Sequence, residues 1–90
     1  MWQIYEKKSL LKTIQKIPSH VLKHYEVWKQ IMELEGPPGL RLIKGFNDET
    51  LKGQWQGYRS SRLTRSWRVI YKVEDKQLEI YVIDVNHHDY

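Results

Sequence analysis

Hydrophobic residues recur along this chain with two periods, and the change from one to the other predicts its elements. Trp2 to Tyr5 is short and β-prone and predicts a first strand. From Ser9 to Ile17, Leu10, Leu11, Ile14 and Ile17 fall at three- and four-residue spacing with lysines between them, which predicts a short amphipathic helix ended by Pro18. Ser19 is a good N-cap for a second helix, whose apolar stripe is Val21, Leu22, Tyr25, Trp28, Ile31 and Met32. Gly36-Pro37-Pro38-Gly39 stops that helix. The two helices are expected to form a hairpin packed on one side of a sheet.

Leu40 to Phe46 reads as a short extended segment. A loop around Asn47-Asp48-Glu49 and the glycine-flanked Gly53-Gln54-Trp55-Gln56-Gly57 follow it. The period then becomes two. Tyr58 to Leu63 and Trp67 to Val73 predict an antiparallel hairpin joined by Thr64-Arg65-Ser66. Alternation puts Arg59 and Ser61 on one face of the first strand, and Tyr58, Ser60 and Arg62 on the other. In the second strand Arg68, Ile70 and Lys72 share a face, while Val69, Tyr71 and Val73 form an apolar row toward the core. Glu74-Asp75-Lys76-Gln77 is a polar turn. Leu78 to Val85 is apolar on both rows apart from Glu79 and Asp84, which predicts a central strand. The resulting class is α+β: an N-terminal strand and a two-helix hairpin packed on one face of a mostly antiparallel twisted sheet, in the order β-α-α-β-β-β with room for one extra strand.

Ninety residues suit one domain, which buries roughly 60–65% of the surface that its unfolded chain exposes. The formal net charge is +4, and the position of that charge says more than its size. Between Lys52 and Val73 lie Lys52, Arg59, Arg62, Arg65, Arg68 and Lys72, with no Asp or Glu among them. A hairpin with an apolar underside and an arginine-bearing upper side suits a polyanion, and a solvated arginine-rich edge is the alternative. The absence of cysteine excludes disulfides and thiolate metal sites. No signal-peptide pattern and no apolar run of about 18–20 residues is present, so a cytoplasmic protein without membrane contact is expected.

Ready-made catalytic signatures are missing. Gly53 and Gly57 lack the Lys-Ser/Thr of a phosphate-binding loop, Ser60 and Ser61 have no neighbouring base, and His20 and His24 lack an acidic companion for a metal. The end of the chain offers more. His87 and His88 follow the most apolar strand, and an imidazole moves protons near neutral pH while arginines stabilise the added charge on a phosphate. That pairing is what RNA cleavage through the ribose 2′-OH requires without any cofactor or metal. The competing reading is a histidine tail without consequence.

Taken in order, Leu51-Lys52-Gly53-Gln54-Trp55-Gln56-Gly57-Tyr58-Arg59, Trp67-Arg68-Val69-Ile70-Tyr71 and Val85-Asn86-His87-His88-Asp89-Tyr90 resemble the RelE/ParE superfamily of bacterial toxins, above all its RelE- and YafQ-type mRNA interferases. The resemblance implies a toxin of a type II toxin–antitoxin system, a metal-independent endoribonuclease that cuts mRNA in the ribosomal A site. Its partners would be mRNA on the ribosome and a cognate antitoxin, in a toxin–antitoxin hetero-oligomer. By position, Arg59 falls where RelE has a lysine, Arg68 on its phosphate-binding arginine, His87 on the C-terminal histidine that YafQ-like members use for proton transfer, and Trp67 on an aromatic of that subgroup. The resemblance thus implies Arg59, Arg68, His87 and His88 as catalytic, with Lys52, Arg62, Arg65, Trp67 and Tyr90 contacting substrate. Trp67 could stack on a base or pack across the hairpin, and His88 and Tyr90 are alternative proton donors. The chain departs from the pattern at Glu49 and Arg62, where YafQ-like members carry histidines, at Ser66, where they carry aspartate, and at Ser61, where RelE has a second lysine. Glu49 is a further candidate base. A gyrase-directed ParE-like toxin and a non-catalytic partner-binding domain are the other readings.

Overall fold

The computed structural model describes residues Met1 to His87. The elements are β1 (Gln3–Glu6), α1 (Leu10–Lys16), α2 (Ser19–Arg41), β2 (Glu49–Thr50), β3 (Arg59–Arg62), β4 (Trp67–Glu74) and β5 (Glu79–His87), with short 3-10 turns at Lys44–Phe46, Gly53–Trp55 and Asp75–Gln77. The strands form one sheet in the order β1-β5-β4-β3-β2, in which only β1 and β5 run parallel. Both helices lie against one face, as the hydrophobic periodicity predicts. Val21, Tyr25, Trp28 and Met32 of α2 share a fully buried core with Val69, Tyr71, Ile80, Val82 and Val85 of the sheet. The Tyr25 and Trp28 rings stack, and Trp28 meets Tyr71 edge-on.

One irregularity decides which residues face the helices. The β4–β5 ladder pairs Ile70 with Asp84 but Tyr71 with Val82, so Ile83 is an extra residue, a β-bulge. Before it, Ile80 and Val82 point into the core; after it, Val85 does. This shift of phase is why β5 reads as apolar on both rows. It also turns Asp84 and Asn86 onto the face away from the helices, whereas an unbroken strand would turn them toward the helices and bury them.

The Gly-Pro-Pro-Gly run ends the first helical run as expected, at Gly36 with φ 69° and ψ −174°, but the chain at once resumes a helical turn through Pro37 and Pro38 that buries Leu40. Proline's fixed φ suits the start of a helix, so the pair that ends one helical run begins the next. Leu40 to Phe46 is accordingly not extended. Glu49–Thr50 pairs with β3 as a two-residue edge strand, the extra strand. Within the order above, β5 is interior, and β4 rather than β5 is the middle strand.

Gly36 is required twice over. Its positive φ disfavours any side chain, and a Cβ there would stand 2.2 Å from the Trp2 indole nitrogen. Gly36→Ala should therefore cost at least about 2 kcal/mol, read as a lower urea midpoint. An unchanged midpoint would show that the β1–α2 contact is looser than described.

Candidate active site

The register of β3 against β4 sorts the basic residues onto two faces. Arg59 pairs with Tyr71 and Ser61 with Val69, so both lie on the helix side; Arg62 pairs with Arg68 on the open side. Arg59 and Arg68, expected to act on one phosphate, are therefore on opposite faces and are not brought together.

On the helix side, polar residues in a core-facing row need a partner, and Asp48 supplies it. Its carboxylate is 1% exposed. It accepts from Arg59 Nε at 3.0 Å and Nη2 at 2.7 Å, from Ser61 Oγ at 2.7 Å and from the Tyr71 hydroxyl, and Arg41 Nε lies 3.7 Å away. For Arg59, burial works against the charge, but the hydrogen bonds and charge of Asp48 outweigh it and hold the guanidinium ionised beyond its ordinary range. Burial, then Asp48, push the Tyr71 hydroxyl well above the usual tyrosine range. Tyr25 is raised likewise, first by burial and then by its 2.6 Å hydrogen bond to Glu6.

On the open side, Arg62 and Arg68 face each other across the β3–β4 ladder, and Asn86 follows on β5 opposite Arg68. Asn86 Oδ1 accepts from Arg68 Nε at 3.3 Å, and Asn86 Nδ2 donates to Asp84 Oδ2 at 3.0 Å. The Asp84 carboxylate thus sets the amide so that its oxygen meets Arg68. The next row is Glu49, Ser60, Ile70 and Asp84. Fully buried Ile70 gives this face an apolar floor, and exposed Glu49 lies diagonally from Arg62.

The β4–β5 ladder ends at the pair Trp67 and His87, whose rings meet edge-on with centroids 5.5 Å apart. Trp67 also packs against the core. His87 is exposed, in phase with Val85 and one residue beyond Asn86. Lys52 is exposed before the Gly53–Trp55 turn, and Arg65 is exposed between β3 and β4. His88 and Tyr90 lie outside the described residues. Sequence reasoning missed Asp48 and Asn86. Part of a signal for Asp48 existed, because Tyr71 falls on the row that alternation turns inward and its hydroxyl there calls for a buried acceptor.

No protein-family model matches the chain. A 50-residue stretch is 38% identical to the mRNA interferase toxin YafQ of Escherichia coli K12, covering 56% of this chain and 54% of the relative. The match thus spans about half the length of that curated relative. Among solved structures, a chain of the archaeal RelE–RelB complex from Pyrococcus horikoshii OT3 superposes with a TM-score of 0.75 at 24% identity, over 96% of this chain and 93% of that one. This chain has a RelE-like fold. YafQ from E. coli BL21(DE3) gives a TM-score of 0.74 at 20% identity over 97% and 93%, and a chain of the YoeB–YefM complex from Staphylococcus aureus gives 0.73 at 20% over 99% and 99%. The α+β architecture that the resemblance implies is the one observed, and these neighbours share it.

The RelE-like sheet should be sensitive to alkali for a specific reason. Tyr25 and Tyr71 have raised folded pKa values, so their contribution to stability is complete below the unfolded value and is lost as pH rises above it. Stability should be flat up to about pH 10 and then fall by up to about 1.4 kcal/mol per pH unit for each of the two. Urea midpoints at pH 8 to 11 check this, and Tyr71→Phe should flatten the slope. Asp48→Ala, which strands Arg59 without its partner, should cost about 3–5 kcal/mol. A loss under about 1 kcal/mol would show that the carboxylate is not the hub of the cluster.

Proposed function

We propose that this chain is the toxin of a type II toxin–antitoxin pair, a cytoplasmic ribosome-dependent endoribonuclease that cuts mRNA in the A site. The observation that carries the reading is the open-face group of Arg62, Arg68 and Asn86, in which the asparagine amide holds the Arg68 guanidinium side-on. With Nε occupied, the two Nη groups remain to grip a phosphate in the bidentate manner that suits arginine. Arg62 adds a second positive charge from the facing strand. Together they offset the charge that builds on the phosphoryl oxygens when the ribose 2′-oxygen attacks.

Two proton transfers complete the reaction. Glu49, on the arginine face, takes the 2′-OH proton as the 2′-oxygen bonds to phosphorus. The bond from phosphorus to the 5′-oxygen then breaks, and that oxygen takes a proton from His87, leaving a 2′,3′-cyclic phosphate and a 5′-hydroxyl. His87 projects from the last row of the ladder, so the nucleotide runs over the end of the sheet to reach it, and His88 and Tyr90 extend the set of donors. No step uses a metal. Trp67 supports the His87 ring, while Lys52 and Arg65 meet flanking phosphates, where each lost contact lowers affinity and flattens the salt dependence. Arg59 keeps the hairpin in shape through Asp48.

The relatives solved as RelE–RelB and YoeB–YefM complexes support an antitoxin partner here too. An acidic or amphipathic segment of that partner would cover the basic surface, and exposed Val27, Leu34 and Leu42 offer apolar contacts.

Primer extension on a defined mRNA in a purified translation system is the test. Wild-type protein should give discrete ribosome-dependent cuts. Arg68→Ala should lower the cleavage rate by about 10²–10³-fold and His87→Ala by about 10²–10⁴-fold, with a smaller loss for Asn86→Ala. Intact mRNA with wild-type protein would overturn the reading, and inhibition of gyrase supercoiling would then place the chain with the ParE-like toxins.

A further inference from the structure

The open face carries a second feature that the cleavage chemistry does not use. Tyr81 of β5 stands between Tyr5 of β1 and Lys72 of β4 in one row across the sheet. The Tyr5 and Tyr81 rings stack with centroids 5.3 Å apart at 19°. On the β4 side of this pair lies a cleft of about 390 Å³ lined by Lys72, Glu74, Tyr81 and Ile83. Ile83 is the bulge residue, and bulges re-aim side chains in this way. Tyr81 donates to Glu79 Oε1 at 2.6 Å, and that hydrogen bond, ahead of any burial, pushes its hydroxyl up to about 12.

We infer that this cleft holds one unpaired nucleobase of the same RNA strand whose phosphate lies on Arg68, stacked against Tyr81. This rests on the nuclease reading above and adds a subsite to it. Its composition decides the ligand. An aromatic face and an aliphatic wall suit a flat heterocycle, which every base presents. Lys72 is offset by Glu74, and Glu79 stands close by, so a lone phosphate would meet more negative charge than positive. Carboxylates accept hydrogen bonds, which favours bases with an exocyclic amino group over uracil. Lys72 lies four residues along β4 from Arg68 on the same face, about 13 Å at strand rise, the span of a short extended run of nucleotides. The free chain would hold this base without help from the ribosome.

The test uses the full chain and short oligoribonucleotides, with ring signals of the tyrosines followed by NMR alongside ribosome-dependent cleavage by the same preparations. Cytidine- or adenosine-containing hexamers should shift the Tyr81 and Tyr5 ring signals upfield, and oligouridine should do so less. Tyr81→Ala should weaken oligonucleotide binding by about 5- to 150-fold, the equivalent of one lost base stack, while Tyr81→Phe stays within a few-fold of wild type. Arg68→Ala should weaken binding and still show the ring shifts at saturation. Oligonucleotide binding that Tyr81→Ala leaves unchanged, or an absence of ring shifts while the wild type cuts mRNA, would overturn the subsite and leave the nuclease reading standing. A wild type that neither cuts mRNA nor binds oligonucleotides would overturn both.

Discussion

A carboxylate taken out of water must be matched by donors, and the Asp48 carboxylate is matched by Arg59, Ser61 and Tyr71 from two adjacent strands. Those contacts clamp the segment after α2 onto the β3–β4 hairpin. They also explain how an arginine, a serine and a tyrosine hydroxyl can occupy the helix side of a sheet in so small a domain. Removing any one donor leaves the carboxylate held by the others, whereas removing the acceptor leaves a guanidinium stranded. With Arg59 engaged in this way, the positive charge of the hairpin's opposite face comes from Arg62, Arg68 and Lys72.

The bulge at Ile83 is the second determinant of the site. By adding one residue to β5 it keeps Val82 and Val85 in the core and sends Asp84 and Asn86 to the open face. The hydrogen bonds from Asn86 to Asp84 and from Arg68 to Asn86 depend on that change of phase. Local disruption of the ladder thus builds a pre-set guanidinium, and the same residue walls the cleft beside Tyr81.

Much of the fold was legible in the chain because periodicity reports burial directly. The stripe of Val21, Tyr25, Trp28 and Met32 and the row of Val69, Tyr71 and Val73 are one-sided patterns, and both faces are where alternation puts them. The site was less legible. Alternation says that Arg59 and Arg62 lie on opposite faces of β3, but only the pairing register says which of them Arg68 joins. Charge density along Lys52 to Val73 therefore marks a hairpin without saying which of its arginines share a face. Asn86 was silent, since an asparagine in an apolar strand has no meaning until the bulge is placed.

The most direct test separates the two faces by comparing Arg59→Lys with Arg68→Ala in urea unfolding and in ribosome-dependent mRNA cleavage. Arg68→Ala should unfold at close to the wild-type midpoint and lose cleavage, while Arg59→Lys should unfold earlier and, at a temperature where it remains folded, still cut. The reverse result, an Arg59→Lys variant of unchanged stability that no longer cuts beside an active Arg68→Ala, would place the phosphate on the helix side and contradict the arrangement described.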